Sequence, residues 1–245
     1  PHAVCFPELV NLLKEGKVSE NVLDKAVKRV LRAKFWLGLF ENPFSDPAYA
    51  RQICDCDEHR EMALKVAERC IVLLKNNGIL PLPKDISSIA VIGPNANEAR
   101  LGGYSGYGMK VVTPLEGIVN KVGKGTKVYY AEGCKVRDYS KDGFAKAISA
   151  ASKADVAILV MGNADETEGE GRDRCNLDLP GVQEDLIKAV VDTGTPVVVV
   201  LINGSAITMS KWIGYVDAVL EAWYPGEEGG NAIADVIFGD YNPGG

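Results

Sequence analysis

Between Asp165 and Arg174 the chain sets five carboxylates and two arginines within ten residues, in the order Asp165-Glu166-Thr167-Glu168-Gly169-Glu170-Gly171-Arg172-Asp173-Arg174. Crowded carboxyls raise one another's pKa, and nearby guanidinium groups lower it. A glutamate kept protonated near neutral pH can give its proton to a departing oxygen and later take one from water. Gly169 and Gly171, placed between the charges, leave the backbone free to bend close to a ligand. A calcium loop is a rival use of the same oxygens, but the one-in-two ligand spacing of an EF-hand is not matched. A solvated acidic surface loop is the other rival, since charge runs commonly have no further role. Position favours chemistry, because the stretch directly follows the apolar run Val156–Met161.

That run belongs to an alternating pattern. Strands are expected at Ile89–Ile92, Lys127–Tyr130, Val156–Met161, Pro196–Ile202 and Ala218–Trp223. Several are near-continuous β-branched stretches, as in parallel strands covered on both faces. Helices are expected at Gly143–Ser152, Val182–Asp192 and Glu228–Phe238, between or after them. The alternation predicts an α/β fold, a doubly wound three-layer αβα sandwich. In such sheets ligands bind beyond the carboxyl ends of the strands, where the acidic stretch lies.

The first part of the chain is different. A helix led in by Phe6-Pro7-Glu8 closes at Gly16, and a second begins at Ser19 with Val22, Leu23, Ala26, Val27, Val30 and Leu31 at helical period. Glu41 to Pro47 is a turn-rich linker, and His59 to Asn76 is expected to be one further helix. These first helices have no strands of their own to pack on, and the chain stops inside a turn signal, Asp240-Tyr241-Asn242-Pro243-Gly244-Gly245, so both ends are expected to be internal to a longer protein.

Composition removes several function classes. Across 245 residues the formal net charge is −6, which repels a phosphate backbone and argues against nucleic acid. Apolar runs such as Val197–Ile202 are too short to cross a bilayer, so no membrane partner is expected. Cys54-Asp55-Cys56 is the only close cysteine pair and lacks a second pair to complete a zinc quartet. With only His2 and His59 in the chain, neither a histidine-rich metal site nor a Ser-His-Asp arrangement is available. The glycines of Leu101–Gly108 do not run from a strand straight into a helix, so a dinucleotide fingerprint is a weak reading.

Glu170-Gly171-Arg172-Asp173-Arg174, followed by Leu177, Leu179, Pro180, Gly181 and Gln183, resembles the acid/base loop of family 3 glycoside hydrolases. The resemblance continues in order through Lys25–Phe40, Val72-Leu73-Leu74-Lys75-Asn76, Val91-Ile92-Gly93-Pro94-Asn95, Thr113-Pro114-Leu115-Glu116-Gly117 and Trp223-Tyr224-Pro225-Gly226. It implies that residues 1–42 are the end of a (β/α)8 barrel with its connector and that 43–245 form the sandwich domain. It further implies a retaining, exo-acting β-glucosidase or β-xylosidase with no cofactor, acting on β-linked oligosaccharides or aryl glycosides. The general acid/base would lie on this chain, and the aspartate nucleophile on a barrel segment upstream of Pro1.

Counting back ten residues from Pro180, as in several branches of the family, gives Glu170 as the acid. Glu168 is the runner-up and a substrate-binding candidate, and Glu166 a distant third. Asp173 and Arg174 are expected to shape the loop by ion pairing. In the glycine-rich segment Tyr104 is the residue that resembles the family's aromatic at the sugar subsites, a ring face stacking on sugar C–H groups; an incidental tyrosine in a turn is the rival. A non-catalytic carbohydrate-binding or interaction domain of the same fold is the alternative function, and a homo-oligomer is compatible with the chain. Compartment is left open, with secretion or the periplasm compatible.

Overall fold

Successive side chains of a strand point to opposite faces, so a strand apolar at every position must be covered on both. In the computed structural model, which describes residues 6–106 and 108–244, the six strands β1 (Val72–Asn76), β2 (Ser88–Ile92), β3 (Lys127–Ala131), β4 (Val156–Gly162), β5 (Val197–Ile202) and β6 (Ala218–Glu221) meet that condition at the centre. Ile158 and Val160 of β4 enter one core with Val198, Val200 and Leu220. Ala157, Leu159 and Met161 enter the other with Val199, Leu201 and Val219. Helices α4 (Asp57–Cys70), α5 (Pro114–Lys121) and α8 (Gly229–Ile237) supply the first core, and α6 (Phe144–Ala151) with α7 (Gln183–Val191) the second. The expected three-layer αβα sandwich is the observed one.

The strand order is β1-β6-β5-β4-β2-β3, with β1 antiparallel to β6 and every other pair parallel. From β2 the chain moves outward to β3, and from β4 it moves the other way to β5. The order therefore reverses between β2 and β4, and their carboxyl-terminal loops diverge to leave a crevice. Both loops begin on a glycine pressed against backbone. A Cβ on Gly93 (φ 127°) would lie 2.2 Å from the Val160 carbonyl oxygen, and one on Gly162 (φ 132°) 2.0 Å from that of Ile202.

Four elements differ from expectation, three of them in or beside the sheet. The helix expected through Asn76 ends at Cys70, and Val72–Asn76 form an edge strand on β6. Ile71-Val72-Leu73-Leu74 has no polar face to keep a helix in register, and pairing with β6 satisfies its backbone instead. Thr113 opens α5, with Pro114 in its first turn and a reciprocal pair between Thr113 and Glu116. Strand β6 stops at Glu221 rather than Trp223, because Trp223 turns the chain at φ 56°.

The chain divides into two compact units, one up to Cys54 and one from Asp55 onward. The first holds α1 (Glu8–Lys14), α2 (Glu20–Trp36) and a helix not expected from the sequence, α3 (Pro47–Ile53), where Asp46 accepts the Ala48 amide at 2.8 Å. None of the three contains a buried residue, and Val22, Val30, Phe35 and Trp36 of α2 are exposed. In the second unit Arg60 of α4 pairs with Glu228, with Asp55 at 2.7 Å and with the Lys110 carbonyl at 2.8 Å. It thereby ties the end of the glycine-rich segment to the start of α8. His2, Cys5 and Tyr107 lie outside the described residues.

Gly162→Ala is expected to destabilise the protein by about 3 kcal/mol or more, since backbone rather than a yielding side chain blocks the new Cβ. A calorimetric melting temperature within a few tenths of a degree of wild type would refute that account of the β4 terminus.

Candidate active site

The acidic loop starts where β4 runs out of sheet partners, and a side chain takes over from the ladder. Gln183, fully buried at the start of α7, accepts the Gly162 amide at 2.8 Å and donates to the Gly162 carbonyl at 2.8 Å and the Val136 carbonyl at 3.1 Å. The next residues close a turn on themselves. Thr167 Oγ1 accepts the Ala164 amide, and the Thr167 and Glu168 amides donate to the Ala164 carbonyl. This turn aims the Glu168 side chain back toward the sheet.

Glu168 is held by four donors from three strand ends. Its Oε2 accepts Asn163 Nδ2 at 3.0 Å and Ser205 Oγ at 2.7 Å; its Oε1 accepts the Gly204 amide and the Tyr224 hydroxyl. Asn163 follows β4, Gly204 and Ser205 follow β5, and Tyr224 follows β6. Burial first, and the Glu168 carboxylate second, hold the Tyr224 phenol above its ordinary pKa, so it remains a donor. A side chain at Gly204 would intrude, its Cβ falling 2.9 Å from the Tyr224 ring and 3.1 Å from Glu168 Oε1.

Glu170, two residues on, is exposed, and among the described residues a single hydrogen bond reaches its carboxylate, from the hydroxyl of Tyr104. That bond raises the phenol's pKa, keeping it protonated. Tyr104 is 82% exposed, so its ring is open to a ligand, although its hydroxyl is engaged. The two residues sit on the loops after β2 and β4 and meet across the crevice between those strands.

Arg174, expected to shape the loop by ion pairing, donates instead to neutral acceptors, Ser205 Oγ at 2.8 Å and the Ala206 carbonyl at 3.0 Å, and makes no ion pair among the described residues. Asp173 is exposed and makes no ion pair or side-chain hydrogen bond among the described residues. A cavity of about 370 Å³ opens among Gly103, Asp165, Glu168, Arg172, Gly204 and Tyr224. Glu166 lies elsewhere, lining a cavity of about 650 Å³ between the loop and Arg137 that contains neither Glu168 nor Glu170.

The model of the glycosyl hydrolase family 3 C-terminal domain matches residues 71–245. The chain belongs to glycosyl hydrolase family 3. It is 45% identical, over 96% of its length, to a β-xylosidase of Formosa agariphila, and 39% identical, over 97%, to a periplasmic β-glucosidase of Salmonella typhimurium. It covers 34% and 35% of those proteins, about a third of each. The solved structure of a β-glucosidase from Erythrobacter marinus superposes with a TM-score of 0.85 over 96% of this chain and 36% of that one, at 35% identity.

Within this family 3 domain the sequence reading named both glutamates and Tyr104 but not the groups that fix Glu168. Asn163, Ser205 and Tyr224 are ordinary polar residues whose common signal is position just beyond a strand end. It also missed Glu221, 6% exposed at the end of β6. Burial is the main cause that pushes this carboxyl up to about 7, the nearby Glu168 charge adds to it, and bonds from the Trp223 amide and Asn203 offset part of the rise.

The contrast between the two loop glutamates predicts opposite stability effects. An amide at Glu168 must set an NH2 against either the Gly204 amide or Asn163 Nδ2. Glu168→Gln is therefore expected to cost about 2–4 kcal/mol, whereas Glu170→Gln stays within about 0.5 kcal/mol of wild type. Thermal unfolding of the two variants side by side checks this; equal losses would mean that Glu168 is not the anchor.

Proposed function

We propose that this chain is the acid/base half of a retaining, exo-acting β-glycosidase that removes terminal, non-reducing β-linked xylosyl or glucosyl units, with Glu170 as the general acid/base. The observation that carries this reading is the unequal treatment of two glutamates on one loop. Glu168 accepts four hydrogen bonds from within the protein, while Glu170 stands exposed at the crevice with one donor among the described residues. Only the second is free to reach a substrate oxygen.

In this reading an aspartate from a barrel segment outside the chain attacks the anomeric carbon as the bond to the leaving oxygen breaks, and Glu170 delivers its proton to that oxygen. The Glu170 carboxylate then takes a proton from water as the water attacks the same carbon, releasing the aspartate and regenerating the acid. Retaining chemistry places the two carboxyls about 5–5.5 Å apart. Tyr104 keeps the Glu170 side chain at the crevice and offers its ring face to the sugar. Residues 1–42 are read as the end of the barrel, a role supported by the uncovered apolar side chains of α2. The names of relatives from both classes support β-xylosides and β-glucosides as substrates, and the periplasmic β-glucosidase supports an exported protein.

The complete enzyme carrying Glu170→Gln tests the assignment. Turnover of alkyl or oligosaccharide β-glycosides is expected to fall about 10²–10⁴-fold. The first step on aryl glycosides with acidic leaving groups should fall much less, because such groups depart without a proton. Normal turnover of the natural glycosides by this variant would remove Glu170 from the mechanism.

A further inference from the structure

Strands β5 and β6 lie side by side in parallel, and a parallel pair is usually joined through an α-helix. Here the connection from Asn203 to Asp217 holds only the short 3-10 helix Ile213–Tyr215. Its Ile207, Trp212 and Val216 pack into the same core as Ile187 and Val190 of α7. A cavity of about 390 Å³ remains between the connection and the helix, within the size range of ligand sites, about 300–1,000 Å³. It is lined by Glu184, Ile187, Lys188 and Val191, three and four apart on one face of α7, and by Lys211, Trp212 and Tyr215 of the connection. Lys75 of β1 fixes the connection there, donating to the Ile213 and Val216 carbonyls at 2.7 Å each. The cavity shares Glu184 and Lys211 with the one that holds Glu166, and no residue with the one beside Glu168.

Two of the lining residues have a buried polar atom without a partner among the described residues. Trp212 is 2% exposed and its Nε1–H has no acceptor; Glu184 Oε1 has no donor, although its Oε2 lies 3.4 Å from Lys211 Nζ. Such groups are rare in folded proteins and costly. One needs an acceptor and the other a donor, and a hydroxyl is both. The charges around the cavity are by contrast already paired, Lys188 with Asp192 at 3.2 Å, Asp185 with Lys141 at 2.7 Å and Lys211 with Asp178 at 2.5 Å. A charged ligand would have to displace one of these pairs, and a neutral one displaces none. Tyr215 is 73% exposed, so its ring is open to the apolar face of a ligand.

We propose that this groove is a saccharide site of its own, in which a neutral pyranoside stacks its C–H face on Tyr215 while one of its hydroxyls accepts from Trp212 Nε1 and donates to Glu184 Oε1. A pyranoside combines what the cavity asks for: no charge, hydroxyls that both give and accept, and an apolar face for an aromatic ring. A bridging water would satisfy the two buried atoms, but it would leave the Tyr215 ring and the Val191 flank uncovered. Binding here holds a saccharide chain on the domain that carries Glu170 and breaks no bond in it. The inference does not depend on which loop glutamate is the acid, because neither Glu168 nor Glu170 lines the groove.

Calorimetric titration of the complete enzyme with sulfur-linked xylotetraose and cellotetraose tests this, because the thioglycosidic link resists hydrolysis and only binding is read. Wild type is expected to bind a tetrasaccharide at the groove as well as at the catalytic crevice. Tyr215→Ala should weaken the groove site by about tenfold or more, while kcat/KM on an aryl β-glycoside stays within about twofold of wild type. With nitrogen-15-labelled tryptophan, the indole resonance that disappears in Trp212→Phe should shift when the tetrasaccharide is added, and Tyr215→Ala should abolish that shift at the same sugar concentration. A single site in wild type, a second site indifferent to Tyr215→Ala, or an unmoved Trp212 resonance would each overturn the proposal, and water alone would then meet the two buried atoms. Tyr215 is exposed and outside the core, so its variant decides the point even if Trp212→Phe does not fold. Binding is read without turnover, so the result stands whether or not Glu170→Gln behaves as expected.

Discussion

The site is organised around a carboxylate whose two oxygens are engaged from within the protein. Glu168 gathers donors from the ends of β4, β5 and β6, three neighbouring strands whose loops it ties to one point. Hydrogen bonds to a charged acceptor contribute about 1.5–3 kcal/mol each when fully formed. An oxygen pair that engages four donors therefore outweighs the conformational freedom of a glycine-bearing loop. Removing any one donor leaves the others aimed at the same point, whereas changing the acceptor leaves several buried donors without a partner. Glu168 is in this sense the fixed point from which the rest of the loop is measured.

From that point the geometry of Glu170 follows. A spacing of two residues with Gly169 between, at φ 141°, lets the chain reverse so that Glu168 turns inward and Glu170 outward. A tight loop without such an anchor would leave an exposed carboxyl free to wander, and a proton donor must be held within hydrogen-bond reach of its target. Tyr104 provides the second restraint, from a different strand. Its own loop is tethered at the far end by Val112, whose amide donates to the Glu227 carbonyl at 2.8 Å, and by Arg60 at Lys110. Glu170 is thus positioned by two loops, which also meet where Asn95 Nδ2 donates to the Asn163 carbonyl at 3.2 Å, and the reversal of strand order between β2 and β4 is what places those loops side by side.

Much of this was legible in the residues. Continuous β-branched runs identified the parallel strands because burial on both faces leaves no polar position, and the acidic loop stood out by its density of charge at a strand end. Helix α4 shows where such reading fails. Ile71 to Leu74 is apolar at every position, and only the presence of β6 alongside decides that it becomes an edge strand. Helix α5 was also not expected, although Thr113-Pro114-Leu115-Glu116 carries a helix-start signal in its proline and in the glutamate three residues after threonine. The cage around Glu168 was not. Asn163, Ser205 and Tyr224 are scattered over more than sixty residues, and only the sheet's register brings them to one place.

Glu221 and Glu170 show how one domain gives two acids different surroundings. Burial raises the pKa of a carboxyl most effectively, yet a buried carboxyl cannot touch a substrate that arrives from outside. Among the carboxyls of this domain Glu221 is the one pushed up to about 7, and it is buried, while Glu170 is exposed. An exposed acid acquires the environment that tunes it only when a second surface closes over it. In the proposed enzyme that surface is the barrel carrying the nucleophile. In that proposal the domain supplies what a sheet supplies well, a carboxyl fixed in space, and the barrel supplies the second carboxyl.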